Sequence, residues 1–260
     1  MPISIRGQIR RLDDDEFAEV AFETMRHVFL VHDEIGRCFE EKIYQRELAF
    51  RVPGAQIEVP IEVTFDDFCK TYYIDVLVNG GAIFELKTVE TLAQRHRSQL
   101  MHYLLLSDMP HGKVVNLRPK RVSHEFINNV LTRCDRTAFD VVDENWNEGG
   151  GYHLKERMEA AIRDWGAALD RGLYEEAATH FCGRDAEPLT EIEIRAHDRR
   201  LGLQKVRLAD PSTALKVTCL DADYLEDFEH HARRFLAHTS LRAIQWINIT
   251  RSLVQFKTLQ

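Results

Sequence analysis

The chain has 260 residues, of which 44% are hydrophobic and 29% charged, as is ordinary for a globular protein. Its formal net charge of −8 argues against tight nonspecific binding to long DNA, because such binding depends on neutralising phosphates with Lys and Arg. The apolar runs are short, so the sequence predicts no transmembrane span, and residues 1–16 show no signal peptide.

Periodicity in the first half predicts two helices and then a sheet. The helices are expected over residues 14–35 and 40–51, the second ending at Pro53-Gly54. Strands are expected over 56–65, 70–78 and 82–89, followed by a helix over 92–106, a strand over 113–117 and a closing helix over 123–134. This order predicts an α/β fold with a mixed sheet flanked by helices.

A polar, glycine-rich stretch at 140–152 predicts a linker between a first domain, 1–139, and a second, 153–260. In the second domain the pattern predicts a helix over 154–181, strands near 191–197, 203–208 and 214–220, a helix over 222–238, and strands near 243–249 and 253–258. The five scattered Cys contain no CxxC pair, which indicates reduced thiols and a cytoplasmic location.

Two acids and a lysine lie on the strands that flank residues 79–81. If these three residues form the hairpin loop, Asp75 lies opposite Glu85, whereas a two-residue loop would put the two acids on opposite faces. Glu85 and Lys87 share a face because side chains alternate along a strand. Two neighbouring carboxylates offer oxygen ligands to Mg²⁺ or Mn²⁺, and a nearby lysine can orient or deprotonate a water or neutralise phosphate charge. The alternative is a cross-strand charge pair on a solvated face.

The flanking residues favour the chemical interpretation. Both strands are rich in apolar residues and look central, where charges need a partner or a metal. The next helix carries His96, Gln99 and Tyr103 at positions i, i+3 and i+7, so they lie on one face. Gln99 and Tyr103 can therefore both point at the carboxylate pair.

Asp75, the Glu-x-Lys at 85–87 and the Gln-x-x-x-Tyr at 99–103 resemble the PD-(D/E)xK nuclease superfamily, and the Gln-Tyr helix resembles its RecB-like branch. More narrowly, the stretches "GRCFEEKIYQRELAF", "YYIDVLV", "AIFELKTVE", "HRSQLMHYL" and "KVVNL" resemble the GxxExxY family over about residues 20–130. The departures are Cys38 at the family's naming glycine, Ile74 at the superfamily's proline and Arg118 at a position that tends to be glycine.

The resemblance implies a Mg²⁺- or Mn²⁺-dependent nuclease acting on DNA or RNA, as a monomer or homodimer. The implied metal ligands are Asp75, Glu85 and the Leu86 carbonyl, the implied catalytic residues are Lys87, Glu41, Gln99 and Tyr103, and the implied substrate contacts are His96, Tyr44 and Asn116. The residues themselves leave other roles open, since Glu41 can be a solvated helix residue, Tyr44 a core residue and His96 a surface residue. The rival function is a catalytically inactive nuclease-fold module that binds nucleic acid or a protein partner.

The second half also resembles a degenerate copy of the first. A shift of 130 residues places Gly36 on Gly166 and Tyr44 on Tyr174, and a shift of 132 places Asn116 on Asn248. The chemical residues are not repeated: with the shift of 132, Asp75, Glu85, Lys87, Gln99 and Tyr103 fall on Arg207, Val217, Cys219, His231 and Phe235. The sequence therefore predicts either a degenerate internal repeat or an unrelated accessory domain.

Overall fold

The computed structural model describes residues 2–148, 153–183, 189–197 and 199–260. The chain divides into two compact units, Met1–Arg133 and Cys134–Gln260. Each unit has a sheet and a hydrophobic core of its own. Among the described residues, no helix combines the length and the apolar character that crossing a membrane requires.

The first unit is a mixed sheet with helices packed against it, which confirms the predicted fold class. Its helices are α1 (Asp14–Ile35), α2 (Glu41–Arg51) and α3 (Gln94–Ser107). Its strands are β1 (Ile3–Ile5), β2 (Ala55–Phe65), β3 (Phe68–Val78), β4 (Ala82–Lys87), β5 (His111–Asn116) and β6 (Ser123–Asn128), arranged across the sheet in that order. Neighbouring strands are antiparallel except β4 and β5, which run parallel because α3 connects them.

Local sequence explains why α1 begins and packs where it does. Asp13 caps the helix by accepting from the Glu16 amide at 2.8 Å, and the Glu16 side chain bonds back to the Asp13 amide in a capping box. The buried side chains of α1 recur at helical spacing and face the sheet. Within the same core, α2 contributes Leu48 and Tyr44, both fully buried.

The hairpin between β3 and β4 has the odd-length loop that the chemical interpretation requires. Val78 pairs with Ala82, so residues 79–81 form a three-residue loop, and this prediction is confirmed. Gly80 has φ of 72°, and a Cβ atom there would lie 2.3 Å from the Gln8 carbonyl oxygen, so both backbone conformation and space demand glycine. The resulting register carries Asp75 to the position opposite Glu85.

The predicted closing helix over residues 123–134 is wrong in its first half. Residues 123–128 form β6, which pairs antiparallel with β5. The Phe126 ring packs edge-on against Phe17 of α1 at 5.5 Å between centroids. Pairing with β5 and this packing override the weak local helical pattern, and only a short helix, α4 (Arg133–Thr137), follows.

The second unit contains a five-stranded sheet in the order β10-β11-β12-β13-β7 and a separate hairpin, β8–β9. Its strands are β7 (Asp140–Glu144), β8 (Thr190–Ala196), β9 (Arg199–Val206), β10 (Leu208–Asp210), β11 (Thr213–Thr218), β12 (Ala243–Ile249) and β13 (Leu253–Leu259). Its longer helices are α5 (Leu154–Trp165), α6 (Arg171–Phe181) and α7 (Leu225–Ala237), the last preceded by a 3₁₀ turn at Ala222–Tyr224.

Two boundaries in this unit differ from the sequence expectation. The expected linker at 140–152 begins with β7, which pairs parallel with β13, and the units divide at Arg133/Cys134 instead. Residues 149–152 of that expected linker lie outside the described residues. The single helix predicted over 154–181 is two helices, because Gly166 has φ of 92° and ends α5.

The two units follow the same path through their sheets. In each, a strand leads antiparallel into a second strand, a helix crosses to a parallel third strand, and a fourth returns antiparallel. A helix pair precedes these strands in both units. The Tyr44 hydroxyl donates to the Gly36 carbonyl at 2.8 Å, and the Tyr174 hydroxyl donates to the Gly166 carbonyl at 2.7 Å. Each bond fastens the second helix of its pair to the end of the first.

A buried asparagine makes the same backbone contacts in each unit. Asn116 accepts from the Val89 amide at 3.1 Å and donates to the Val89 carbonyl at 2.7 Å. Asn248 accepts from the Leu220 amide at 2.8 Å and donates to the Leu220 carbonyl at 3.0 Å. We call these two residues the clamp asparagines, because each fixes the segment that leaves the central strand.

Candidate metal centre

The acid pair lies at a gap in the sheet of the first unit. Pairing between β3 and β4 extends from the loop only to Val76 and Phe84, one residue before Asp75 and Glu85. Beyond that point the Leu86 amide donates to the Asp75 Oδ2 atom at 2.8 Å instead of to a strand carbonyl. A side chain thus replaces the backbone ladder and separates the two strands.

The neighbouring strand is irregular at the same level. Ile57 pairs with Val76 and Val59 pairs with Ile74, but the intervening Glu58 has φ of 52°, in the left-handed region. Non-glycine residues held there carry backbone strain that the surrounding structure must support. Strand pairing is therefore irregular on both sides of Asp75. Its side chain is consequently not confined to the direction that a regular sheet would impose.

Lys87 brings three carboxylates together. Its ammonium nitrogen lies 2.5 Å from Glu85 Oε1, 3.8 Å from Glu41 Oε2 and 3.9 Å from Asp75 Oδ2. Glu41 is the first residue of α2, and its other oxygen accepts from the Thr88 amide at 3.2 Å. Four of the residues predicted to be functional are therefore within reach of one point.

The charges of this cluster do not balance. Three ionised carboxylates and one ammonium group leave a net charge of −2. Glu85 is completely buried, and its Oε2 atom has no hydrogen-bond partner among the described residues. An unpartnered carboxylate oxygen is costly to bury. A divalent cation would supply both the missing partner and the missing charge, and hard oxygen donors suit Mg²⁺ or Mn²⁺, so the side chains fit such an ion.

The titration behaviour of the cluster reflects the same imbalance. Burial, reinforced by the negative charge of Asp75, raises the pKa of Glu85 from 4.5 to about 8 although Lys87 opposes the change. Burial also raises the pKa of Asp75 to about 6, against the effects of Lys87 and the Leu86 amide. For Lys87, burial lowers the pKa, but the nearby carboxylates outweigh burial and leave its pKa raised. The lysine is therefore an ammonium ion, and without a cation the acids tend to keep a proton.

Gln45 belongs to this centre, although sequence reasoning did not select it. Its side chain is buried and donates from Nε2 to Asp75 Oδ1 at 2.9 Å. The signal that would have found it is its position four residues after Glu41, on the same face of α2. Together with the Leu86 amide, Gln45 fixes both oxygens of Asp75, each of which retains capacity for a further ligand.

Gln99 and Tyr103 are joined to each other on α3. The Gln99 Nε2 atom donates to the Tyr103 hydroxyl at 3.0 Å, one helical turn away. Tyr103 is buried, and its ring centroid lies 6.2 Å from that of Tyr72 on β3. This bond orients the Gln99 amide, while direct contact of either side chain with the acids stays a prediction.

The residues predicted to contact substrate have structural partners in the first unit, and contact with a substrate stays a prediction. Tyr44 and Asn116 are fully buried and use their polar atoms in the backbone bonds described above. His96 is 5% exposed, and its Nδ1 atom accepts from the Ala93 amide at 2.9 Å, which caps α3. Burial and the Arg95 charge lower the pKa of His96, so it is a neutral cap at pH 7.

A match to one family model supports a nuclease-like first unit. Residues 18–128 match the family described as the PD-(D/E)XK nuclease superfamily, and this segment contains every member of the metal centre. The solved structure entitled "Crystal structure of SSO0001" is similar with 20% sequence identity and a TM-score of 0.29. That similarity covers 46% of this chain and 61% of the other, so the chain spans about three fifths of that protein. No curated protein matches the chain.

Proposed function

We propose that the first unit is a nuclease that hydrolyses phosphodiester bonds in DNA or RNA with Mg²⁺ or Mn²⁺. The observation that carries this proposal is the buried, unpartnered Oε2 atom of Glu85, in a cluster whose net charge is −2 when its three acids are ionised. The match of residues 18–128 to a nuclease superfamily supports the same conclusion, since its members typically use divalent metal ions.

In this proposal Asp75, Glu85 and the Leu86 carbonyl hold the metal ion. When bound, the ion supplies Lewis-acid chemistry and makes a coordinated water more acidic. Lys87 acts as an ammonium ion that orients the attacking water and stabilises negative charge developing on the phosphate. Glu41 is 34% exposed at its side chain, so the cluster opens to solvent on the side of α2.

The finer family assignment is also a proposal. The hydrogen bond between Gln99 and Tyr103 supports membership of the RecB-like branch, because it keeps both side chains of the Gln-Tyr motif on one face of α3. The Tyr44 bond to Gly36 supports the GxxExxY assignment, since it gives the motif tyrosine a structural role. Neither bond depends on the metal centre.

We further propose that the second unit is a degenerate repeat of the first. Its support is the common strand order, the repeated tyrosine-to-glycine bond and the repeated clamp asparagine. The acids and the lysine are not needed for that path, because the second unit follows it without them. This favours a functional origin for Glu85 and Lys87.

One observation favours the alternative function, an inactive module that binds nucleic acid or a protein. Lys87 and Glu85 form a direct ion pair at 2.5 Å, and both residues are buried. A closed ion pair of this kind can exist for structural reasons alone. The excess negative charge around it is what the alternative does not explain.

Cleavage assays with defined substrates separate these functions. Single- and double-stranded DNA and RNA would be incubated with the full chain in Mn²⁺, in Mg²⁺ and in EDTA. We expect metal-dependent cleavage of at least one substrate and a loss of about a hundredfold or more in Asp75→Ala and Lys87→Ala. Asp33→Ala and Lys120→Ala serve as controls, because both side chains are exposed and lie outside the cluster.

Equal cleavage by the wild type and both cluster variants would eliminate this mechanism. Absence of cleavage combined with intact nucleic-acid binding would support the inactive module instead. Thermal unfolding of every variant identifies losses of activity that come from misfolding.

A further inference from the structure

Lys216 of the second unit occupies the position that Glu85, a proposed metal ligand, has in the first unit. Lys87 on β4 pairs with Asn116, the clamp asparagine of the first unit. Thr218 on β11 pairs with Asn248, the clamp asparagine of the second unit. Because both clamp asparagines make the same backbone contacts, Thr218 stands where Lys87 stands. Two residues earlier on the same strand face, Lys216 therefore stands where Glu85 stands.

This register corrects the alignment obtained from sequence. The uniform shift of 132 residues places Glu85 on Val217 and Lys87 on Cys219, one residue too far along β11. In the second unit Thr213 pairs with Ala243, and in the first unit Ile83 pairs with Gly112. The second unit therefore has one more residue between the two paired positions. Since one residue reverses the face of a strand side chain, the difference decides whether the counterpart of Glu85 is apolar or basic.

Lys216 lies at a cavity of about 430 Å³ between β11 and α7. The charged and aromatic side chains that line this cavity with it are Lys205, Arg207, Phe228, His231 and Phe235. Glu175 also lines it, but its carboxylate pairs with Arg171 at 3.3 Å. The second unit thus retains a cavity on the sheet face that carries the metal centre in the first.

The cavity is basic in a chain whose net charge is −8. Lys205, Arg207 and Lys216 contribute three positive charges, and within the described ranges neither lysine has an ion-pair partner. Arg207 contacts the Thr179 hydroxyl at 3.4 Å, a neutral group. Lys216 is exposed although β11 is an internal strand of its sheet. Uncompensated positive charge at a cavity attracts an anion.

The aromatic residues indicate what the anion is attached to. Phe228 and Phe235 are half-buried on α7, and both line the cavity. The Phe228 ring packs against that of Trp246, with 4.5 Å between their centroids. Basic groups that meet phosphates beside aromatic faces on which bases stack are the combination found in sites for single-stranded nucleic acid.

We propose that this cavity binds backbone phosphates of a single-stranded nucleic acid, with Lys216 and Arg207 each contacting one phosphate and Phe228 or Phe235 as the stacking surface. The anionic character of the ligand follows from the charges of the cavity alone. The choice of nucleic acid rests additionally on the function proposed for the first unit. The degenerate repeat has exchanged a cation site for an anion site.

Binding measured without metal tests this site apart from cleavage. Fluorescein-labelled single strands of DNA and RNA would be titrated with the full chain in EDTA, with fluorescence anisotropy recorded between about 50 and 200 mM salt. The test variant is Arg207→Gln with Lys216→Gln. The matched control is Arg242→Gln with Arg251→Gln, which removes the same charge from exposed positions of the second unit.

Loss of two phosphate contacts makes the negative slope of the log binding constant against log salt concentration shallower by about 1.4, since each contact to a single strand contributes about 0.7. We expect that change, with at least tenfold weaker binding at the lowest salt, in the test variant and not in the control. An unchanged slope, an equal change in the control, or no binding by the wild type would overturn the proposal. Tryptophan fluorescence verifies that the second unit of each variant is folded, because Trp146, Trp165 and Trp246 all lie in that unit.

Failure of this proposal can be distinguished from failure of the nuclease proposal. If the test variant loses binding while Asp75→Ala cleaves like the wild type, the anion site stands and the proposed metal mechanism fails. If the wild type cleaves with Mn²⁺ but the test variant binds normally, the nuclease stands and the anion site fails.

Discussion

Glu85→Gln should stabilise the metal-free first unit at pH 8 while abolishing its stabilisation by Mn²⁺. Each pKa unit corresponds to about 1.4 kcal/mol, so raising the pKa of Glu85 from 4.5 to about 8 costs at most about 5 kcal/mol at high pH. Because this pKa is higher in the folded state, the associated stability is present below pH 4.5 and lost as the pH rises through 8. Glutamine carries no charge and avoids that loss.

The net gain is smaller than the upper bound, because Lys87 loses one of its partners. The ammonium group still has Glu41 at 3.8 Å and Asp75 at 3.9 Å, so it is not left alone in the interior. Removing one partner of a buried ion pair is usually destabilising, because the other charge is left uncompensated. Here Lys87 keeps two carboxylate partners, so we expect less than half of the upper bound to remain, about 2 kcal/mol. For a domain of this size that gain raises Tm by roughly 7 °C.

Differential scanning calorimetry at pH 5 and pH 8, in EDTA and in Mn²⁺, measures this effect. All three tryptophans (Trp146, Trp165 and Trp246) lie in the second unit, so their fluorescence identifies which transition belongs to that unit. Glu90→Gln, at an exposed position near the end of the same strand, is the control. A lower Tm for Glu85→Gln at pH 8 in EDTA would refute the reasoning, because Glu85 would then be a net stabilising member of an ion pair.

Three further changes test other parts of the first unit. Gln45→Leu removes a donor that orients Asp75, and should weaken Mn²⁺ binding about 10- to 100-fold in calorimetric titrations while a fold check by circular dichroism stays unchanged. Tyr44→Phe leaves the Gly36 carbonyl without its donor, and should lower the free energy of unfolding in urea by about 1–3 kcal/mol; a loss below 0.5 kcal/mol would contradict a structural role. Gly80→Ala should lower Tm by several degrees, because alanine disfavours φ of 72° and its Cβ would meet a carbonyl oxygen, and an unchanged Tm would count against this loop geometry.

The features that the sequence predicted well are local. The loop at 79–81 sets the register of a hairpin whose two strands adjoin it, so the placement of Asp75 opposite Glu85 needs no distant information. The helix α1 is equally local, because its acidic start and its apolar spacing are contained in its own residues. Its predicted bounds, 14–35, agree with the structure.

The features that were missed depend on contacts between distant segments. Residues 123–128 form the strand β6 because they pair with the edge of β5. Nothing in the sequence of residues 123–128 indicates that this edge is available. Gln45 joins the centre because α2 packs over a strand thirty residues later, which brings it within 2.9 Å of Asp75. The single-residue offset in β11 was invisible for the same reason, since pairing with β12 reveals it.

The three-residue loop between β3 and β4 has a consequence for how chains of this kind can diverge. A change of one residue in the length of that loop turns every side chain of one strand to the other face. Asp75 and Glu85 would then be parted without any substitution. Among related chains that keep the acid pair, insertions and deletions at this tip should therefore occur in steps of two residues, and steps of one should accompany loss of the acids.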